Sequence, residues 1–322
     1  MNLITVDVGA RALRRVSGVR AAVVTLAAVV ILGLVGCSAP QSTATDAEGA
    51  TGRLAVVATI SAYGDIATQI GGDLVRVTSI ITNPTQDPHS FQASAQVQLS
   101  ISRANVVIEN GGGYDDFVGT LLAAANNDSA QVINVTDVSG RETAPATGQF
   151  NEHFWYDFAT VRSLASVIAT TFGKKDPGNA ATYLANAAVF AAKLDPLQAS
   201  ESSIRAKFAG TGVAITEPVS LYLLEACGLV NSTPAKFSQA IEEGTDVPPL
   251  VFQKTLALIT ERKIALLAYN SQTSSPETEQ LLAAAATAGV AVVRVTESMP
   301  RGSNYLAWMT ANLAAVQAAL EK

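Results

Sequence analysis

The chain has 322 residues, a formal net charge of −6, two histidines, two cysteines and only 6% aromatic residues. The acidic balance argues against nucleic acid or an anionic lipid surface as partner and is compatible with cations. The low aromatic content argues against a cleft that stacks organic ligands, and the length is ample for two α/β lobes of ordinary size.

Residues 1–36 read as a signal peptide. Arg11, Arg14, Arg15 and Arg20 form a positive first region, and the uncharged run Ala21 to Gly36 follows. That run is shorter than the ~20 residues a spanning helix needs. Leu34-Val35-Gly36-Cys37 resembles the lipobox of bacterial lipoproteins, which implies cleavage before Cys37 and acylation at that residue. Residues 37–52 are rich in Ser, Thr, Ala and Gly and read as a flexible tether to the outer face of a membrane, periplasmic if the cell has a second one. Removing residues 1–36 takes away four arginines and one aspartate, which leaves 17 basic and 26 acidic residues and a net charge of −9. Cys227 is the only other cysteine, so no intrachain disulfide is expected.

From residue 53 onward, short apolar runs alternate with helical spacings. Leu54 to Thr59 reads as a buried parallel strand and Ser61 to Ile70 as a helix stopped by Gly71-Gly72. Val75 to Ile81 is a strand, Val97 to Ser102 a helix, Asn105 to Glu109 a strand ending in Gly111-Gly112-Gly113, and Gln131 to Val135 another strand. A helix begins near Asp157. The alanine-rich segment 179–208 reads as one long helix with Pro196 as the place for a kink. The alternation then resumes with strand Val213 to Thr216, helix Val219 to Cys227, strand Ile264 to Ala268, helix Glu277 to Ala288, strand Val290 to Val295 and helix Tyr305 to Leu320. This pattern predicts an α/β protein of two lobes, 53–178 and 209–322, each a mostly parallel sheet flanked by helices, with 179–208 linking them and a site in the cleft. The acidic stretch Phe237 to Pro249 is expected to be a solvated loop, with a cleft lid or a cation funnel as its sharper alternative.

Imidazole is a common ligand for first-row transition metals, which draws attention to His89 and His153. His89 closes Asp87-Pro88-His89 in the loop after Val75–Ile81; Pro88 stiffens that loop, and Asp87 either orients the ring from its far nitrogen or is a plain turn residue. His153 stands in Asn151-Glu152-His153-Phe154-Trp155, with Glu152 expected in solvent and Trp155 and Tyr156 in the core. Glu217 follows the strand Val213–Thr216, where it could equally serve only as a helix N-terminal charge. Glu297 follows Val290–Val295. All four fall at strand ends or in strand-to-helix loops that face one crevice.

At these residues the chain resembles the metal-binding lipoproteins of zinc and manganese ABC transporters, the cluster A-I substrate-binding proteins. The resemblance runs from about residue 53 to the end. It is carried by Gly71-Gly72-Asp73, Asp87-Pro88-His89-Ser90-Phe91, Ala104 to Gly111, His153-Phe154-Trp155, and Glu217 eleven residues ahead of Gly228-Leu229. It implies a metal held by His89, His153, Glu217 and Glu297, two from each lobe, with Zn²⁺ or Mn²⁺ (or Fe²⁺) as cargo. It also implies a monomer that docks on a membrane permease with a cytoplasmic ATPase. Three departures stand out: Asn151-Glu152-His153 replaces the family's Asp-Pro-His, Glu297 replaces its usual Asp, and a His-rich loop is missing. Glu297's extra methylene permits bidentate ligation, which leans toward Mn²⁺, whereas the affinity order favours Zn²⁺, so the sequence leaves the metal open. A metal-dependent hydrolase would need an open coordination position, and no His-Glu-x-x-His signature is present. A surface adhesion lipoprotein is the third class and predicts exposed apolar or repetitive surface.

Overall fold

The computed structural model describes residues 52–83, 91–144 and 150–322. The expected signal peptide, Cys37, Asp87 and His89 lie outside the described residues.

The first lobe opens with β1 (Leu54–Ile60), α1 (Ser61–Gly71), β2 (Val75–Ile81), α2 (Ala95–Ser102), β3 (Val106–Glu109), α3 (Phe117–Ala125), β4 (Gln131–Asn134) and α4 (Val135–Ser139). Its four strands are parallel in the order β2-β1-β3-β4. β1 therefore has a neighbour on each side and helices on both faces. That is why Leu-Ala-Val-Val-Ala-Thr-Ile is apolar almost throughout instead of alternating. Gly71 ends α1 where a Cβ would collide with the Val75 side chain, so the glycine lets β2 start hard against the helix.

After α4 the chain passes a 3-10 turn at Phe154–Tyr156 and enters α5 (Phe158–Lys175). Asp157 caps α5 by accepting from the Ala159 N–H at 3.1 Å, and Lys174 and Lys175 lie at the negative end of the helix dipole. The long helix α6 (Ala180–Phe208) continues through Pro196. It packs against α1 and α5 on one side and against α7 and α11 of the second lobe on the other.

The second lobe comprises β5 (Gly212–Ile215), α7 (Leu221–Ala226), β6 (Val230–Asn231), α8 (Ala235–Glu242), α9 (Pro249–Thr260), β7 (Leu266–Asn270), α10 (Pro276–Ala288), β8 (Ala291–Val295) and α11 (Tyr305–Leu320). Its strands are again parallel, in the order β6-β5-β7-β8. α10 carries a full set of end signals: a Ser275/Thr278 capping box, Pro276 in its first turn and Gly289 in the left-handed conformation after its last.

Most elements fall where periodicity puts them, and one expectation fails. The stretch beginning at Phe237 is not a solvated loop: Ala235–Glu242 is helix α8, with Phe237, Ala240 and Ile241 buried. Its apolar residues pack beneath the sheet with Ile259, Leu267 and Leu281, and this turns the end of the helix toward the cleft. One continuous core runs through both lobes, from Val56 and Tyr63 through Trp155 and Phe190 to Val293 and Met309. α11 reaches back across it. The Tyr305 N–H donates to Asp65 Oδ2 on α1 at 2.9 Å, and the Tyr305 hydroxyl donates to the Trp155 carbonyl at 2.7 Å.

Candidate metal centre

The carboxyl ends of both sheets converge on a buried polar cluster. From the first lobe, β3 runs into Asn110 and the Gly111-Gly112-Gly113 turn, all three glycines at positive φ. Asp115 holds this turn from inside, because its two oxygens accept from the Asn110 and Gly111 N–H groups at 2.7 and 2.8 Å. The turn sets Tyr114 with its ring against His153, centroids 6.2 Å apart. Burial, followed by the charge of Glu297, pushes the Tyr114 phenol well above its ordinary pKa, so it stays protonated.

His153 is fully buried at the end of the segment that leads into α5. Trp155 meets its ring edge-on at 5.1 Å. Phe154, Trp155 and Tyr156 are all buried, so the aromatic run dries this wall of the cluster.

Asn151 fixes the imidazole. Its Oδ1 accepts from the His153 backbone N–H at 3.1 Å and faces His153 Nδ1 at 2.7 Å, while its Nδ2 donates to the Pro218 carbonyl at 3.1 Å. Those partners orient the amide without ambiguity. An amide oxygen can only accept, so Nδ1 carries the hydrogen and Nε2 carries the lone pair. Nε2 faces Glu297 Oε2 at 4.0 Å. A cation between a lone pair and a carboxylate so placed would bind both. Two donors on one zinc ion, each about 2.0–2.2 Å from it, stand roughly 3–4 Å apart.

Glu217 and Glu297 are 3% and 2% exposed, and a single residue joins them. Asn270 ends β7, which lies between β5 and β8 in the sheet. Its Nδ2 donates to Glu217 Oε2 at 2.7 Å and to Glu297 Oε1 at 2.9 Å. Gln272 holds the turn after β8, since its Oε1 accepts from the Glu297 and Ser298 N–H groups.

Two further carboxylates, Glu242 and Glu152, approach His153. Glu242 Oε1, at the end of α8, lies 3.9 Å from Nδ1. Potential ligand atoms of Glu152, His153 and Glu242 all lie within 4.8 Å of one another. Burial, and then the charges of Glu152, Glu217 and Glu297, push the Glu242 carboxyl up to about 9; burial likewise raises Glu152, so that residue is not simply in solvent. This trio is a poor metal site on chemical grounds, because Asn151 already commits Nδ1 as a donor.

Of the four residues singled out in the sequence, His153, Glu217 and Glu297 thus come together, and His89 belongs to the loop outside the described residues. The sequence reading missed Asn270, Gln272, Tyr114 and the placement of Glu242. Neutral amides carry no charge pattern. The helical spacing of Phe237, Ala240 and Ile241 did hold the signal for α8.

Among curated proteins, the chain is 29% identical over 177 residues to the metal ABC transporter substrate-binding lipoprotein ScbA of Streptococcus cristatus, covering 52% of this chain and 57% of that one. The alignment thus spans little more than half the length of that relative. Among solved structures, the periplasmic zinc binding protein TroA of Treponema pallidum superposes with a TM-score of 0.70 at 20% identity, over 84% of this chain and 99% of that one. The substrate-binding protein FpvC of Pseudomonas aeruginosa, solved with Mn²⁺, gives 0.69 at 24% identity over 84% and 98%. These likenesses establish the two-lobed fold. The family model described as ZnuA, zinc-uptake complex component A, periplasmic, matches residues 56–319, and the chain belongs to that family.

Proposed function

We propose that this protein is an extracytoplasmic solute-binding component that captures a divalent transition metal between its lobes and passes it to an ABC permease driven by a cytoplasmic ATPase. The observation that carries the reading is the approach of His153 Nε2, its lone pair fixed by Asn151, to the Asn270-bridged pair of Glu217 and Glu297. His89, presented by the loop after β2, supplies the fourth donor, and Asp87 orients its ring. Two neutral imidazoles and two carboxylates neutralise a divalent ion, and a closed set of four protein ligands suits capture rather than turnover. Zn²⁺ and Mn²⁺ are the cargo candidates, and Fe²⁺ is chemically admissible. The family and the curated relatives are transport components rather than enzymes. Acylation at Cys37 tethers a monomer to the outer face of the membrane; among the described residues no helix is long and apolar enough to cross one.

The test is calorimetric titration of metal-stripped protein with Zn²⁺ and Mn²⁺. Wild type is expected to bind one ion per chain, and His153→Ala or His89→Ala to lose several orders of magnitude in affinity. Unchanged binding after His153→Ala would overturn the reading.

A further inference from the structure

The net negative charge of the chain is unevenly placed. In the first lobe, Glu109, Asp115, Asp116, Asp137 and Glu152 follow the carboxyl ends of the strands, on the side of the metal centre. Cations line the opposite, amino-terminal edge of the same sheet. Arg53 immediately precedes β1, and Arg76, at the start of β2, pairs in register with Ala55. Asn105 brings in a third arginine. Its Oδ1 accepts from the Ala55 N–H at 2.7 Å and its own N–H donates to the Ala55 carbonyl at 2.8 Å, which sets Arg103 beside the start of β1. Arg76 and Arg103 line one hollow of about 280 Å³, together with Leu99, Ser100 and buried Val57. At the β4 end of the edge, Lys175 donates to the Ser129 carbonyl at 2.6 Å, next to Lys174.

Arg53, Arg76 and Arg103 are exposed and form no ion pair with any described acid. In the second lobe, by contrast, Lys207 pairs with Glu321 at 3.8 Å and Lys263 with Glu261 at 2.6 Å. Asp73, Asp128 and Asp176 share the first lobe's edge, and Asp176 is already engaged by Asn179 and Tyr183. The edge therefore keeps a local positive excess in a chain of net charge −6. Unpaired guanidinium groups present forked donors that match phosphate oxygens. Cations held within a Debye length of an anionic membrane, about 8 Å at physiological salt, are attracted to it. The course of the chain brings a membrane to this edge, because β1 starts here and Cys37 stands 15 positions before Gly52. Such a segment spans at most ~50 Å. We propose that the edge centred on Arg53, Arg76 and Arg103 is a membrane-facing surface that rests on anionic phospholipid headgroups. The choice of partner rests on acylation at Cys37. In this pose the carboxyl ends of the strands, and the metal centre with them, are turned away from the lipid for capture. Delivery then requires the edge to lift off, which the length of the tether permits.

The experiment uses the mature chain, residues 37–322, with Cys37→Ser so that no acyl group contributes. It is sedimented at low salt with vesicles of phosphatidylcholine, alone or in equal parts with phosphatidylglycerol. Binding is expected only with phosphatidylglycerol present, and added salt should reverse it. Further substitution Arg76→Glu/Arg103→Glu should weaken binding about tenfold or more, given the attraction of each cation near an anionic surface. Lys236→Glu/Lys254→Glu, the same change of charge on α8 and α9, should leave it nearly unchanged. Arg53→Glu, ahead of the first strand, gives the weakening independently if the double variant does not fold. Absence of binding to phosphatidylglycerol vesicles would overturn the proposal, as it would if Asp46 and Glu48 of the tether occupied the arginines. Equal weakening by the two double variants would also overturn it, by reducing the attraction to overall charge. Mass spectrometry of the membrane-extracted protein checks the anchor separately: an unmodified Cys37 would sink the tethering reading and leave the vesicle measurement to decide the surface.

Discussion

Asn151 makes three contacts that bear on two candidate ligands from different lobes: its Oδ1 accepts twice from His153, and its Nδ2 donates to the carbonyl that follows Glu217. It acts through His153 by fixing the tautomer, so Asn151→Ala should lower Zn²⁺ affinity about 10- to 100-fold, as loss of a histidine's outer partner commonly does. Nitrogen chemical shifts of His153 separate this role from general loosening. In wild type they should report a hydrogen on Nδ1, and in the variant a mixture of tautomers. The asparagine was visible in the sequence only as a departure from an expected aspartate. The ligand candidates themselves were legible because histidine is rare here and because Glu217 and Glu297 each follow a strand. Asn270 was not legible, since nothing local marks an amide whose partners come from two other strands. Glu242 was read by its charge, whereas its position is dictated by the apolar face of α8.

Helix α6 carries a different kind of buried charge. Glu201 is 8% exposed, and burial is the main reason its carboxyl is pushed up to about 7; the Asp157 charge raises it further and Arg205, one turn on, opposes both. Its folded pKa thus lies above the unfolded value near 4.3. The folded state holds this proton more tightly, so the associated stability is fully present below the unfolded pKa and is lost as pH rises through about 7. Glu201→Gln keeps the shape and removes the titration. It should be the more stable protein at pH 8, by on the order of 2 kcal/mol, and nearly indistinguishable from wild type at pH 4. Urea unfolding across that pH range checks this, and equal slopes for the two proteins would show that Glu201 is already ionised in the fold. At this scale the sequence was a good guide: α6 and α11 are marked by length and apolar spacing. The two-residue strand β6 and the five-residue helix α4 are too short for any period to register.

The lobes of the whole molecule are joined by more than one linking helix. Tyr222 on α7 donates from its hydroxyl to the Asn151 carbonyl at 2.6 Å, its ring stacks on Phe154 at 5.9 Å, and the Arg141 guanidinium covers it at 4.2 Å. Tyr156 donates to the Thr296 carbonyl at 2.8 Å, beside Glu297, and α11 lies across α1. A wide hinge opening would break these contacts and split the continuous core, so release of the ion should proceed through smaller movements of the site's rim. Tyr222→Phe tests this, because it keeps the stacking and removes the hydroxyl that ties α7 to Asn151. Global stability should fall by only about 0.5–1.5 kcal/mol, the ordinary worth of one hydrogen bond. The rate of Zn²⁺ release into excess chelator, followed by stopped flow, should rise several-fold, because loosening Asn151 loosens His153 and the Glu217 turn together. Metal linkage supplies the matching equilibrium measurement. At a free Zn²⁺ concentration of about 1,000 times Kd, the ion adds about 4.1 kcal/mol to the folded state. For a chain of this size that corresponds to a rise in Tm of roughly 7 °C. Tyr222→Phe should show nearly the same rise from a slightly lower starting Tm. A variant that releases metal no faster than wild type would show that the Tyr222 contact only joins the lobes and has no part in holding the ion.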